Sequence, residues 1–211
     1  MNITYKHLTI GLLSLVTLII VSGCANTQSS NLYLLKAHEG ISLPKEISPL
    51  KGVHIAVERI RIPKYLDRPT IMTTGDDMKL VYSEFRRWGS PIENNISEVL
   101  VLNLGSLLPE SIVLSSRSMA PHPPDYILHV QIQRLDGELG KEVMLMARWG
   151  IFSNDAGIQK YVSGGSTSNK VKLSGDEYGD YVAAINRMIT DLSIKIANNL
   201  SNMPNSTKTK P

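Results

Sequence analysis

The chain has 211 residues, with 22 Lys and Arg against 19 Asp and Glu, a formal net charge of +3 and a pI near 8.9. So nearly balanced a chain lacks the basic field that holds nucleic acid, and no nucleic-acid partner is expected. One cysteine excludes an internal disulfide framework, while 42% hydrophobic residues suffice for one domain with a core of its own.

The chain opens like a secretory signal. Lys6 and His7 give a short basic start, and Leu8 to Val21 is apolar except for Gly11, Ser14 and Thr17. That run falls short of the roughly 20 apolar residues of a membrane span. It ends in Val21-Ser22-Gly23-Cys24, and the polar stretch Ala25 to Ser30 follows at once. Small residues before a cysteine at this point resemble the lipobox of bacterial lipoproteins, in which the thiol is alkylated by diacylglycerol and the chain is then cut ahead of it. Residues 1–23 are therefore read as a lipoprotein signal peptide and Cys24 as the lipidation site, which also accounts for an odd thiol in an oxidising compartment. Two or more acyl chains hold a protein firmly on a membrane. In Gram-negative bacteria an Asp after the cysteine favours inner-membrane retention; here the residue is Ala25, so the periplasmic face of the outer membrane is expected. Apart from that covalent lipid, no cofactor is expected.

Residues 24–48 read mostly as tether, with a short extended candidate at Leu32 to Leu35. Val53, Ile55 and Val57 alternate as a strand, and Ile60 and Ile62 continue on the other parity, so a bulge or bend is predicted near Glu58-Arg59. Thr70 to Met72 and the alternating Met78, Leu80 and Tyr82 flank Gly75-Asp76-Asp77, which predicts a hairpin. From Pro91 the period becomes helical, with Ile92, Ile96, Val99, Leu100, Asn103, Leu104 and Leu107 on one stripe. Two longer strands follow, one through Tyr126, Leu128, Val130 and Ile132 and one through Val143, Leu145, Ala147, Trp149 and Ile151, joined by a turn at Gly137 to Gly140. A third strand is placed near Gln159 to Ser163, after the Asn154 to Gly157 turn. Ser174 to Asp176 is the expected cap of a last helix whose stripe is Tyr178, Tyr181, Val182, Ile185, Ile189, Leu192 and Ile196. Residues 49–200 then form one α+β domain, a two-layer sandwich of a mainly antiparallel sheet with two amphipathic helices on one face. Residues 201–211 are too polar to order themselves and are read as a disordered tail.

The chemistry-bearing patterns are few. The five histidines never approach one another at metal-ligand spacing, so no metal site is expected; His54 and His129, on strands, are expected to face solvent. No nucleophile elbow, zinc-protease, P-loop or dinucleotide pattern occurs, and Gly164-Gly165-Ser166 reads as a flexible turn or strand end. Asp76-Asp77 and Asp176-Glu177 lie in turn and cap contexts, so no catalytic residue is assigned and the chain is read as non-enzymatic.

The most unusual segment is Arg59 to Pro69. Pro63 and Pro69 interrupt helix and ladder bonding, and Tyr65, Leu66, Asp67 and Arg68 stand between them. Two readings fit: a structured crossover in which Asp67 and Arg68 satisfy local backbone, or a loop facing a partner, since Tyr and Arg are enriched at interface hot spots. Phe85-Arg86-Arg87-Trp88-Gly89-Ser90-Pro91 leads into the first helix, with Trp88 either core or contact.

At these two segments the chain resembles the paraquat-inducible protein C (PqiC) family, also called the ABC-type transport auxiliary lipoproteins. The carriers are Ile62-Pro63-Lys64-Tyr65-Leu66-Asp67-Arg68-Pro69 and Phe85 to Ile92, supported by Pro124-Asp125-Tyr126, Asp136-Gly137, Ala147-Arg148-Trp149 and Tyr33-Leu34-Leu35. The resemblance implies a non-catalytic outer-membrane lipoprotein of an intermembrane lipid transport system. Its implied partners are a mammalian-cell-entry (MCE) domain tunnel protein, which it would dock at the outer membrane, and other copies of itself in a ring. It would thereby support membrane integrity. Tyr65, Leu66, Asp67, Arg68, Pro69 and Trp88 become candidate partner or oligomer contacts. The residues alone leave a second reading open, a lipoprotein regulating a cell-wall enzyme.

Overall fold

The computed structural model describes residues 29–43, 50–58, 60–75, 77, 79–120 and 122–204. Cys24, the signal segment, Arg59, Asp76, Met78 and the last seven residues lie outside them. The described residues form eight strands and two helices, in the order β1 (Asn31–Tyr33), β2 (His54–Val57), β3 (Thr70–Thr74), β4 (Leu80–Trp88), α1 (Ile92–Leu107), β5 (Ile112–Ser115), β6 (Tyr126–Gly137), β7 (Glu142–Asp155), β8 (Ile158–Lys172) and α2 (Tyr178–Ser201). The α+β expectation holds.

The strands divide into two mixed sheets. One has the order β1-β4-β3 and the other β5-β2-β6-β7-β8. β6, β7 and β8 form an antiparallel meander, whereas β2 lies parallel to both β5 and β6 and β1 lies parallel to β4. The parallel pairings of β2 with β5 and β6 are joined by long connections that contain helix α1, and that of β1 with β4 by a connection that contains β2 and β3; a tight hairpin can join only antiparallel strands.

The alternating residues do what alternation dictates. Val143, Leu145, Ala147, Trp149 and Ile151 of β7 are buried, as are Leu128, Val130 and Ile132 of β6, and they form one core with Ile96, Leu100, Leu104, Ile185, Ile189 and Ile196 of the helices. The predicted bulge after β2 is present. Glu58 N–H bonds Leu128 O and Arg61 N–H bonds Val130 O, so three steps on one strand oppose two on the other. A second bulge, between Ile132 and Arg134 of β6, was not predicted.

Four expectations change. The domain begins at Asn31 rather than at residue 49. Asn95 accepts from Leu35 N–H at 2.7 Å and donates to Leu35 O at 3.1 Å, while Asn186 and Asn103 accept from Lys36 and His38 N–H. Side-chain amides thus stand in for a strand partner, a role that helical periodicity does not reveal. His54 is buried, not solvent-facing; its ring pairs with the His122 carbonyl at 2.9 Å and lies edge-on to the His122 ring. Ser174 does not cap α2: the N-cap is Glu177, and the Ser174 hydroxyl instead donates to Asp180 at 2.6 Å.

The fourth concerns Gly164-Gly165-Ser166, which is neither a turn nor a strand end but the middle of the 15-residue β8. Gly165 is in register with Trp149, whose indole donates to Asn199 Oδ1 at 2.9 Å. A Cβ on Gly165 would lie 2.4 Å from the indole ring. Gly165→Ala is therefore expected to destabilise the domain by ~1–3 kcal/mol through overpacking, measured by urea unfolding; an unchanged midpoint would contradict this packing.

Candidate functional site

The segment singled out by its prolines packs beside the part of β6 that outruns its neighbour. β2 accompanies β6 only as far as Leu128, with one further bridge between Arg61 and Gln131. Beyond Ile132 that edge of β6 turns towards the loop between Pro63 and Pro69. The loop is tightly wound: Leu66 N–H bonds Pro63 O at 3.0 Å, Asp67 N–H bonds Lys64 O at 3.2 Å and Arg68 N–H bonds Leu66 O at 2.8 Å. This winding presents the Tyr65 hydroxyl to the strand edge, where it accepts from Leu135 N–H at 3.3 Å and donates to Asp136 Oδ2 at 2.6 Å. Arg134 completes the group, holding Asp136 Oδ1 at 2.8 Å. Strand alternation puts Arg134 and Asp136 on the same side, and the β6 bulge before them turns that side away from the face of Val130 and Ile132.

A second tyrosine works one step along. Tyr181, almost wholly buried at the start of α2, donates its hydroxyl to Met72 O of β3 at 3.0 Å. Leu66, Met72, Trp88, Leu135, Tyr181 and Ile185 line a small cavity between the layers. Trp88 N–H bonds Pro69 O at 2.8 Å, and Arg86 lies over the Tyr178 ring at 5.9 Å.

The six residues proposed as contacts therefore separate. Leu66 and Trp88 are buried and belong to the core, so neither presents a surface to a partner. Tyr65 is half-buried with its hydroxyl committed to Leu135 and Asp136. Asp67, Arg68 and Pro69 are exposed at the crest of the loop. Cys24 lies outside the described residues. Sequence reasoning missed Arg134, Asp136 and Tyr181 as the support of this loop; the Asp136-Gly137 pair was noticed only as a strand end.

Two open grooves flank the domain. One, of about 560 Å³, is lined by Thr74, Arg134, Asp136, Lys141, Lys170 and Lys172 among others; the second, of about 530 Å³, runs between α1 and β5 past Glu98, Leu102 and Arg117. Among the described residues no cluster of His, Cys, Asp or Glu is arranged to hold a metal, and no helix is long and apolar enough to cross a membrane.

Burial raises the ionisation of the Tyr65 hydroxyl well above its ordinary value of 10.0, and the hydrogen bond to Asp136 raises it further. Tyr181 is raised in the same direction, again mainly by burial. A proton held more tightly in the folded than in the unfolded chain contributes stability that is complete below pH ~10 and is lost as pH rises beyond it. Tyr65→Phe strands the Leu135 amide and one oxygen of Asp136, so it is expected to cost ~1–3 kcal/mol at neutral pH. It should also flatten the alkaline fall in stability, as should Tyr181→Phe. Chemical unfolding between pH 7 and 11 measures both effects, and parallel curves for wild type and variants would contradict the assignment.

Comparison with known proteins gives a consistent answer. A family model described as the ABC-type transport auxiliary lipoprotein component matches residues 33–197. The intermembrane transport lipoprotein PqiC of Escherichia coli is 26% identical over 93 residues, covering 44% of this chain and 48% of that protein; the match thus spans about half the length of the curated relative. Among solved structures, an uncharacterised protein superposes with a TM-score of 0.64 at 22% identity, covering 82% of this chain and 99% of the other. A Xanthomonas campestris protein superposes with a TM-score of 0.64 at 15% identity, covering 81% and 95%. These two structures show a shared fold.

Proposed function

The chain belongs to the ABC-type transport auxiliary lipoprotein family, and from that premise we propose that it is a non-catalytic docking component of an intermembrane lipid transport system, anchored by lipid on Cys24 at the periplasmic face of the outer membrane. The observation that carries this reading is the family match over residues 33–197, which spans nearly all of the described domain. The sequence before it supports the anchor, with Val21-Ser22-Gly23-Cys24 at the end of an apolar run and Ala25 following. The partner is an MCE-domain tunnel protein, and the lipoprotein assembles with copies of itself into a ring that receives the tunnel and supports membrane integrity.

The exposed crest Asp67-Arg68-Pro69 supplies the contact. Its rigid mounting favours binding, because a loop already held by Tyr65 and the Trp88–Pro69 bond loses little conformational freedom on docking. Arg68 adds a planar donor suited to carboxylate or carbonyl acceptors on a partner.

Fractionation of cells expressing the full chain should recover it in the outer membrane as a lipid-modified species, and Cys24→Ser should abolish the modification and that location. A Cys24→Ser protein still processed normally and membrane-bound would overturn the anchor. The wild-type lipoprotein should co-purify with an MCE-domain protein as a discrete homo-oligomer. Recovery of a monomer with cell-wall synthases in place of MCE proteins would overturn the transport role in favour of an enzyme regulator.

A further inference from the structure

Three features that the docking role does not use meet at the end of the domain where β4 begins. The first is the β3–β4 hairpin. Gly75 N–H closes onto Lys79 O at 2.9 Å, and just beyond the turn Leu80, Val81 and Tyr82 are 46%, 46% and 58% exposed. Successive side chains of a strand point to opposite faces. Three exposed in a row mean that the β4 strand of the hairpin is open on both faces, while its β3 partners Met72 and Thr73 are buried against the domain. The second feature is the groove of about 560 Å³ beside it, which shares Thr74 with the hairpin and is lined by Arg134, Lys141, Lys170 and Lys172.

The third is the direction of the chain. β1 lies parallel to β4, with Asn31 beside Arg86, so the polypeptide enters the domain from the hairpin side. Cys24 precedes Asn31 by seven residues, a reach of at most ~25 Å. The stretch of β4 from Leu80 to Arg86 covers ~20 Å. A lipid on Cys24 therefore keeps Asn31 within ~25 Å of the bilayer, a tether long enough, when it runs on along β4, to bring Leu80 to the membrane surface.

We infer that the hairpin end is a membrane-contacting surface: Leu80, Val81 and Tyr82 enter the interfacial layer of a phospholipid bilayer while the cations of the neighbouring groove lie at headgroup phosphates. This rests on the lipid-anchored reading of Cys24. Apolar side chains flanked by a polar-tipped aromatic suit that layer, where Tyr keeps its hydroxyl in water and its ring among acyl chains. Charge contributes less. Lys141 is paired with Glu138 at 2.8 Å, Lys170 with Glu142 at 2.5 Å and Arg134 with Asp136 at 2.8 Å, and at the hairpin Lys79 is paired with Asp77. Among the described residues Lys172 makes no ion pair, and Glu84 is an exposed acid on β4. The surface is thus close to neutral, and its hold on the bilayer depends on the apolar tip more than on anionic lipid.

The native chain suits a direct test, because its one cysteine is Cys24 and lipidation consumes that thiol. Leu80→Cys, Tyr82→Cys and the control Ile158→Cys, 74% exposed at the opposite end of β8 from Lys172, each give the lipidated protein one free thiol for an environment-sensitive fluorophore. On phosphatidylethanolamine–phosphatidylglycerol vesicles, probes at 80 and 82 should shift to the blue and lose intensity to quenchers carried on the acyl chains, and the probe at 158 should do neither. Probes at 80 and 82 that stay as water-exposed as the one at 158 would overturn the inference. So would a blue shift present without vesicles and untouched by the lipid quenchers, which would mean a protein partner or a second copy. Flotation of the same samples reports the anchor separately: protein that floats with unquenched hairpin probes refutes only the membrane contact, and protein that does not float refutes the anchor beneath it.

Discussion

The strand β6 is longer than the neighbour that should accompany it, and the architecture depends on what satisfies the exposed edge. β2 and the residues just after it supply partners only as far as Ile132, whose amide bonds Arg61 O. A buried backbone amide left without a partner is costly. The Tyr65 hydroxyl accepts from the Leu135 amide and donates a hydrogen bond to Asp136, and Arg134 neutralises that carboxylate. Tyr181 then ties α2 to the carbonyl of Met72. Two phenols therefore join the small sheet, the proline loop, the large sheet and the second helix at one place.

That joint explains how a loop between two prolines becomes a fixed surface. Pro63 and Pro69 lower its freedom before folding; the winding of Leu66, Asp67 and Arg68 back onto Pro63, Lys64 and Leu66 uses its own backbone groups; and Leu66 and Trp88 bury its underside. Lys64, Asp67, Arg68 and Pro69 remain exposed to anything outside. The two readings of the segment, structured crossover and partner-facing loop, are compatible, because the residues that build the crossover are not those that face outward.

What the sequence made legible was whatever depends on periodicity. The stripe of α2 from Tyr181 to Ile196, the alternation of β7 and the hairpin at Gly75 follow from local geometry and are found where expected. The α+β class follows from them in turn. What escaped depends on residues far apart in sequence: Asn95 serving Leu35 and Asn103 serving His38, and Gly165 making room for Trp149. Glycine, serine and asparagine have low strand propensity, so β8 read as a short strand followed by a loop; in the fold it runs on because β7 pairs with it as far as Lys172. The Tyr65 loop was located by its prolines, while its support from Arg134 and Asp136 required the β6 bulge, which no local pattern announces.

The account stands most directly on the claim that this mounted crest meets the transport partner. A photo-crosslinking amino acid placed at Arg68 of the full-length, lipidated protein in intact cells tests it, with Ile158 at the far end of the sheet as control. Irradiation is expected to join position 68, and not position 158, to an MCE-domain protein or to a second copy of this chain. Crosslinks from 68 to cell-wall synthases alone, or equal crosslinking from both positions, would contradict the account.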